Sequence, residues 1–236
     1  MAKAGKKYVK AREQVDKSRL YPLPEAVGAV KGVAFAGFDE TVELVTNLAI
    51  DPKKSDQLVR GTVSLPHGTG KKVKVLAFCP ADQEEDARAA GADYAGLADL
   101  VEKIQGGWLD FDAAVAEKSV MREISRLGKV LGPRGLMPSP KAGTVTEDIP
   151  RTVRELKAGK IEIKTNKYGV IQVAVGKVSF TDEQLADNIL CVISEINRLR
   201  PAVVKGKYIK KAFISSSMGP AVPLDTMGLT QGVSAD

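Results

Sequence analysis

The groups in this chain best placed to do chemistry are hydroxyls, a thioether, an aromatic ring and lysines. SSSMGP (Ser215–Pro220) puts Ser215 and Ser217, which both donate and accept, beside Met218, a polarisable thioether that can pack on a base or sugar. Gly219 follows and permits close backbone approach. Immediately upstream, Arg198–Lys211 holds six cations, Lys205, Lys207 and Lys211 among them, and no acid. Residues 1–20 add seven more cations, including Lys3, Lys6 and Lys7, against two acids. Lysines in such runs release counterions from phosphates and so supply affinity without sequence information. Phe38, next to Gly37 at an element boundary, is either a core plug or a platform for stacking. An acid-free basic stretch beside a strand, with a basic N-terminal helix, is the footprint of a nucleic-acid binder.

GKVLGPRGLMPSPKAGTV (Gly128–Val145) holds four glycines, three prolines, the cations Lys129, Arg134 and Lys141, and no acid. Neither a helix nor a central strand is expected to run through it. Leu131, Leu136 and Met137 should pin it to a core, and a long ordered loop of this kind is commonly functional. Residues 122–141 carry five cations against Glu123 alone. An enzyme using this loop as a phosphate cradle would need a base, metal ligands or a nucleophile nearby. Asp110 and Asp112 are scattered, and GTGKK (Gly68–Lys72) lacks the spacing and the Ser/Thr of a P-loop. His67 is the sole histidine and stands at no ligand spacing; Cys79 and Cys191 match no metal or redox pattern, so no metal or cofactor is expected. They read as buried free thiols of a reducing cytoplasm. No helix-turn-helix spacing supports a DNA-binding repressor.

The elements that must position these groups fall into three stretches. Apolar spacing predicts a helix over 7–16, a helix from Pro24 to Ala34, and strands over 41–50 and 58–65. Pro66–Gly70, with His67, Gly68 and Gly70, reads as a flexible hinge, and Gly159 as its counterpart on return. Between them the strands 73–78, 94–96 and 111–116 alternate with helices over 84–90, 97–104, 119–127 and 150–157, implying a small parallel α/β layer. A hairpin of 160–165 and 170–175 follows, then a long helix capped by Thr181 and Gln184, a strand YIKKAFIS, and a loosely held tail. Residues 68–158 hold 14 cations and 14 acids, so the flanks carry the whole formal charge of +6. That break argues for two domains. No run of about 18 apolar residues is present, and no apolar segment follows the N-terminal cations, so neither a membrane span nor a secretory signal is expected.

Three stretches, LVRGTVSLPHGTGK (Leu58–Lys71), GKVLGPRGLMPSPKAGTV and KGKYIKKAFISSSMGP (Lys205–Pro220), closely resemble the signatures of the bacterial ribosomal protein L-one family. The likeness runs from about Lys10 to Leu229. It implies a discontinuous α+β domain (1–67 and 159–236) with an inserted Rossmann-like α/β domain (68–158), and no enzymatic activity. It also implies binding of the first domain to the stalk of large-subunit ribosomal RNA, contact of the second with exit-site tRNA, and repression of the protein's own mRNA. Carried over by position, Phe38, Thr41, Ser215, Ser217, Met218 and Gly219 would contact RNA, with Lys3, Lys6, Lys7, Lys205, Lys207 and Lys211 on phosphates. Lys129, Arg134 and Lys141 would face tRNA. The protein is expected on cytoplasmic ribosomes, and as a monomer when free. Two positions depart from the family: Gly37, where members often carry lysine, and Ser217, which keeps the hydroxyl of the usual threonine but loses its methyl.

Overall fold

The computed structural model describes residues 5–54 and 56–226. Lys3 therefore lies outside the described residues, as does the tail beyond 226. In chain order the elements are α1 (Lys6–Glu13), α2 (Leu23–Gly32), β1 (Thr41–Leu48) and β2 (Arg60–Ser64). Next come β3 (Val75–Phe78), α3 (Glu84–Ala89), β4 (Tyr94–Gly96), α4 (Ala98–Gln105) and β5 (Ala113–Glu117). α5 (Met121–Ile124), α6 (Gly128–Leu131), β6 (Val145–Thr146) and α7 (Ile149–Ala158) follow. The chain ends in β7 (Lys160–Lys164), β8 (Val170–Lys177), α8 (Asp182–Arg198), β9 (Ile209–Ser216) and β10 (Val222–Leu224). Two compact units result: Met1–Gly70 with Ile161–Asp236, and Lys71–Lys160. The architecture is α+β in the first and α/β in the second.

The first unit is built on an antiparallel sheet ordered β10-β9-β1-β8. Alternation along β1 buries Val42, Leu44, Thr46 and Leu48 on one face and leaves Thr41, Glu43, Val45 and Asn47 on the other. The buried face is covered by α2, through Ala26, Val27 and Val30, and by α8, through Leu185, Ile189, Val192, Ile193 and Ile196. Thr181 and Gln184 form the reciprocal cap that starts α8: the Gln184 N–H donates to Thr181 Oγ1 at 3.2 Å and the Thr181 N–H to Gln184 Oε1 at 3.0 Å. The opposite face of the sheet has no helix on it among the described residues.

Two expectations fail here. Asn166–Gly169 does form a turn, with an isolated bridge from Thr165 to Ile171. Beyond it β7 pairs with β2 rather than with β8, whose partner is β1. The turn closes only one rung because the strands diverge to reach different partners. The chain after Pro220 is also not loose at once: β10 pairs with β9, and the Tyr21 N–H donates to Pro223 O at 3.0 Å.

The second unit is a parallel sheet ordered β4-β3-β5-β6. β3 is buried on both faces, as a central parallel strand must be. Leu76 and Phe78 pack with Leu100, Ile104, Ile124 and Leu127, while Val75 and Ala77 pack with Ala87, Val153 and Leu156. The helix expected over 119–127 is broken into α5 and a 3-10 turn. The glycine- and proline-rich loop contains a single helical turn, α6, a 3-10 turn at Pro140–Ala142 and the short edge strand β6, and neither a helix nor a central strand runs through it. Gly128 allows α6 because it opens that turn rather than interrupting it, and Pro140 is tolerated because it opens the second. Leu131 is fully buried, with Leu136 and Met137 packed beside it, so the loop is anchored as expected.

Candidate nucleic-acid interface

β1 and β9 run antiparallel, with Val42 opposite Ser216 and Asn47 opposite Lys211. This register places the start of β1 beside the end of β9. Thr41 and Ser217 therefore meet: the Thr41 N–H donates to Ser217 Oγ at 3.0 Å, and that hydroxyl lies 3.4 Å from Thr41 O. From β8, Lys177 Nζ donates to Thr41 Oγ1 at 2.8 Å. Phe38, just before β1, and Met218, just after β9, stand at this end of the sheet, 60% and 52% exposed. A core plug would be buried, so that reading of Phe38 is excluded.

What ties the backbone around this cluster together is Glu40, a residue the sequence offers no reason to single out. It is buried, at 1% exposure. Oε1 accepts from the N–H groups of Phe35 at 3.0 Å and Ala36 at 2.8 Å, and Oε2 from the N–H of Met218 at 2.9 Å. The segment before Phe38 and the segment holding Met218 are thus tied to one carboxylate. Burial pushes the carboxyl up, but the Ser216 hydroxyl and the Met218, Ala36 and Phe35 N–H groups outweigh it and hold the group below its usual range. Ser216 Oγ meets no partner in good hydrogen-bond geometry, so its help comes from the hydroxyl dipole and not from a full bond. A Cβ on Gly219 would lie 2.4 Å from Ser216 Oγ, so position 219 has no room for a side chain as the loop stands. At Gly37 a Cβ would meet nothing within 4 Å.

The expected cations divide. Lys7 and Lys10 on α1 line one shallow hollow with Gly32–Phe35, the segment leading to Phe38; Lys6 is exposed on the same helix. Ser215 lies on the open sheet face opposite Glu43. Lys205, Lys207 and Lys211 are exposed but sit at the other end of β9. Ser217 follows Lys211 by six residue steps, about 20 Å along the sheet. Of the six cations in Arg198–Lys211, two serve the fold. Arg198 pairs with Glu195 at 2.6 Å, and Arg200 donates to Val204 O at 2.7 Å and Gly206 O at 2.9 Å while lying over the Tyr208 ring. Burial, partly offset by Arg200, pushes the Tyr208 phenol up to about 12. Lys205, Lys207, Lys210 and Lys211 have no ion-pair partner among the described residues.

Of the expected hinge residues, His67 and Gly68 are hydrogen-bonded within the first unit. The His67 N–H donates to Asn188 Oδ1 at 3.1 Å, and Asn188 Nδ2 donates to Gly68 O at 3.0 Å and Val175 O at 2.7 Å. His67 Nε2 lies 3.1 Å from Asp187. Gly70 has φ +71°, where a Cβ would also press on Lys177 and Phe180. Gly159, at φ 108°, terminates α7. In the second unit Lys129 and Arg134 are exposed on the anchored loop, and Lys141 follows Pro140 in its 3-10 turn.

Hydroxyls, an aromatic ring and a thioether thus gather at one end of the sheet, where the central strands β1 and β9 meet. Among the described residues no group of three or more potential metal ligands is found, and no helix is long and apolar enough to cross a membrane. The chain belongs to the ribosomal protein L1p/L10e family, whose model matches residues 30–220. It is 52% identical over 223 residues to the large ribosomal subunit protein uL1 of Thermobifida fusca, covering 94% of this chain and 95% of that one. The uL1 protein of Kosmotoga olearia is 49% identical over 225 residues, covering 95% and 97%. That of Lactobacillus acidophilus is 49% identical over 229 residues, covering 97% and 100%. The family is one of ribosomal proteins and not of enzymes, which sets aside the phosphate-cradle alternative for the Gly128–Val145 loop.

Proposed function

We propose that this protein is a structural component of the large ribosomal subunit, residing on cytoplasmic ribosomes, and that its first unit binds the stalk of large-subunit rRNA. The observation carrying this reading is the pair of exposed side chains, Phe38 and Met218, beside backbone segments that share one buried carboxylate. A backbone segment already fixed costs less ordering entropy when a base or sugar packs on the side chain it presents. The Thr41–Ser217 hydroxyls beside it can address a 2′-OH, which distinguishes RNA from DNA. Lys6 and Lys7 supply phosphate contacts at this end; Lys205, Lys207 and Lys211 supply them at the other. The loop bearing Lys129, Arg134 and Lys141 meets exit-site tRNA and assists its release. An mRNA segment shaped like the stalk would occupy the same surface and give autorepression.

Filter binding of stalk RNA, duplex DNA and labelled nucleotide across a salt series tests this. Met218→Ala or Phe38→Ala is expected to cost about 1–3 kcal/mol on stalk RNA, with the salt slope nearly unchanged. Lys207→Ala is expected to lower the slope by about one on every RNA. Equal losses on stalk and unrelated RNA for Met218→Ala would refute the division of labour.

A further inference from the structure

Three segments distant in sequence converge at the end of the sheet away from Phe38 and Met218. The Leu48 N–H donates to Gly169 O at 3.0 Å, and the Ala49 N–H to Tyr208 O at 2.7 Å. Gly169 has φ +72°, and a Cβ there would lie 3.2 Å from Ile50 Cγ1. The turn Asn166–Gly169 is therefore seated on the segment leaving β1, with the start of β9 alongside. Lys53, Lys54 and Lys167 join the four lysines of the β9 end, all exposed and none with an ion-pair partner among the described residues. The acids on these segments are Asp51 and Asp56, and the Asp51 carboxylate accepts the Lys53 N–H at 3.1 Å. Within this basic end stands Tyr168, 70% exposed, more than any other large apolar or aromatic side chain described. Lys167 Nζ is 5.1 Å from its ring centroid, a cation–π distance. The turn that carries it is rigid: Asn166 Oδ1 accepts from the Tyr168 N–H at 2.8 Å and the Val170 N–H at 3.0 Å.

We propose that this end of the sheet is a second RNA-contact surface, at which Tyr168 stacks on an unpaired base while Lys53, Lys54 and Lys167 hold the flanking phosphates. The inference rests on the rRNA-binding reading above and extends it to Lys53, Lys54, Lys167 and Tyr168, which that reading does not use. Charge selects the partner class: seven lysines against two acids match a polyanion. The ring selects the form of the RNA. A duplex offers its backbone and grooves, which would use the lysines and leave an exposed ring without a partner, whereas an unpaired nucleotide offers a base face to stack. Set about 20 Å from the Met218 end, such a contact would read a single-stranded flank or loop adjoining the helix gripped by the first surface.

The test uses the full chain and two probes, a stalk-rRNA hairpin with blunt ends and the same hairpin carrying an oligouridine flank. Tyr168→Ala is expected to weaken the flanked RNA roughly tenfold, with the salt slope and the blunt hairpin unaffected. Tyr168→Phe should retain the affinity, and Lys167→Ala should lower the slope on the flanked RNA by about 0.7, the single-strand value. Tyr168 is exposed, so a matched thermal melt for Tyr168→Ala is expected to show that folding is intact. Wild-type affinity of Tyr168→Ala for the flanked hairpin, or a flank that adds nothing to wild-type binding, would overturn the second surface alone. Failure of the wild-type protein to bind either hairpin would overturn the rRNA reading itself.

Discussion

Glu40 has two carboxylate oxygens and three backbone N–H groups to satisfy, two on Oε1 and one on Oε2. Glu40→Gln leaves a single acceptor oxygen. Keeping it toward Phe35 and Ala36 turns the amide NH2 against the Met218 N–H, so the damage falls on the Ser217–Gly219 segment. The expected loss is about 1–3 kcal/mol of stability, the cost of a buried group left unsatisfied. Stalk-RNA affinity should fall with it. The pH dependence has a definite sign, because the folded-state carboxyl is held below its unfolded value of about 4.3. Its stabilisation is complete above that value and lost as pH falls through the lower, folded one. Urea unfolding of both proteins through the acid range should show the difference constant near neutrality and shrinking toward low pH. A constant difference throughout would mean that the carboxylate charge is not what matters.

The helix α8 shows how one element can serve both core and connection. Its inward residue Asn188 is fully buried yet bonds Gly68 and Val175, and it accepts from His67. Asn188→Leu keeps the branching of the side chain but strands three backbone groups, and is expected to destabilise by roughly 2–4 kcal/mol in a denaturant titration. A change below about half a kcal/mol would mean that water satisfies those groups. At the anchored loop, Arg134→Glu changes an exposed residue whose neighbours Leu131, Leu136 and Met137 carry the packing. It should therefore leave thermal unfolding unchanged while altering exit-site tRNA occupancy on ribosomes; loss of folding instead would assign Arg134 a packing role. These elements also show what was legible in the sequence. The cap at Thr181 and Gln184, the buried stripe of α2 and the strand at Tyr94–Gly96 follow from local pattern and appear in the structure as read. β6 and β10 do not follow, being two and three residues long and defined only by their partners. The pairing of β7 with β2 was hidden for the same reason: a turn signal at Asn166–Gly169 says where the chain reverses, not how far the strands stay together. At the site, hydroxyls and cations announce themselves by type. Glu40 does not, because a lone acid before a strand ordinarily faces water, and only tertiary contact reveals its three donors.

Charge and connectivity belong to the molecule as a whole. Lys71–Lys160 carries 15 cations and 14 acids, while the two flanks carry 20 and 15, so the first unit holds +5 of the net +6. It also holds Phe38, Met218, Glu40 and both basic ends of the sheet. If RNA binding resides there, a chain in which Gly70 is joined to Ile161 by a short flexible linker should fold and bind by itself. Its affinity for stalk RNA is expected within about tenfold, or 1.4 kcal/mol, of the full chain, with nearly the same salt slope. The excised Lys71–Lys160 unit should bind stalk RNA poorly. Filter binding of both pieces and the full chain across one salt series, with circular dichroism on each, measures this directly. Retained affinity and slope in the joined unit are the predicted result; a joined unit that is well folded and does not bind stalk RNA would contradict the account.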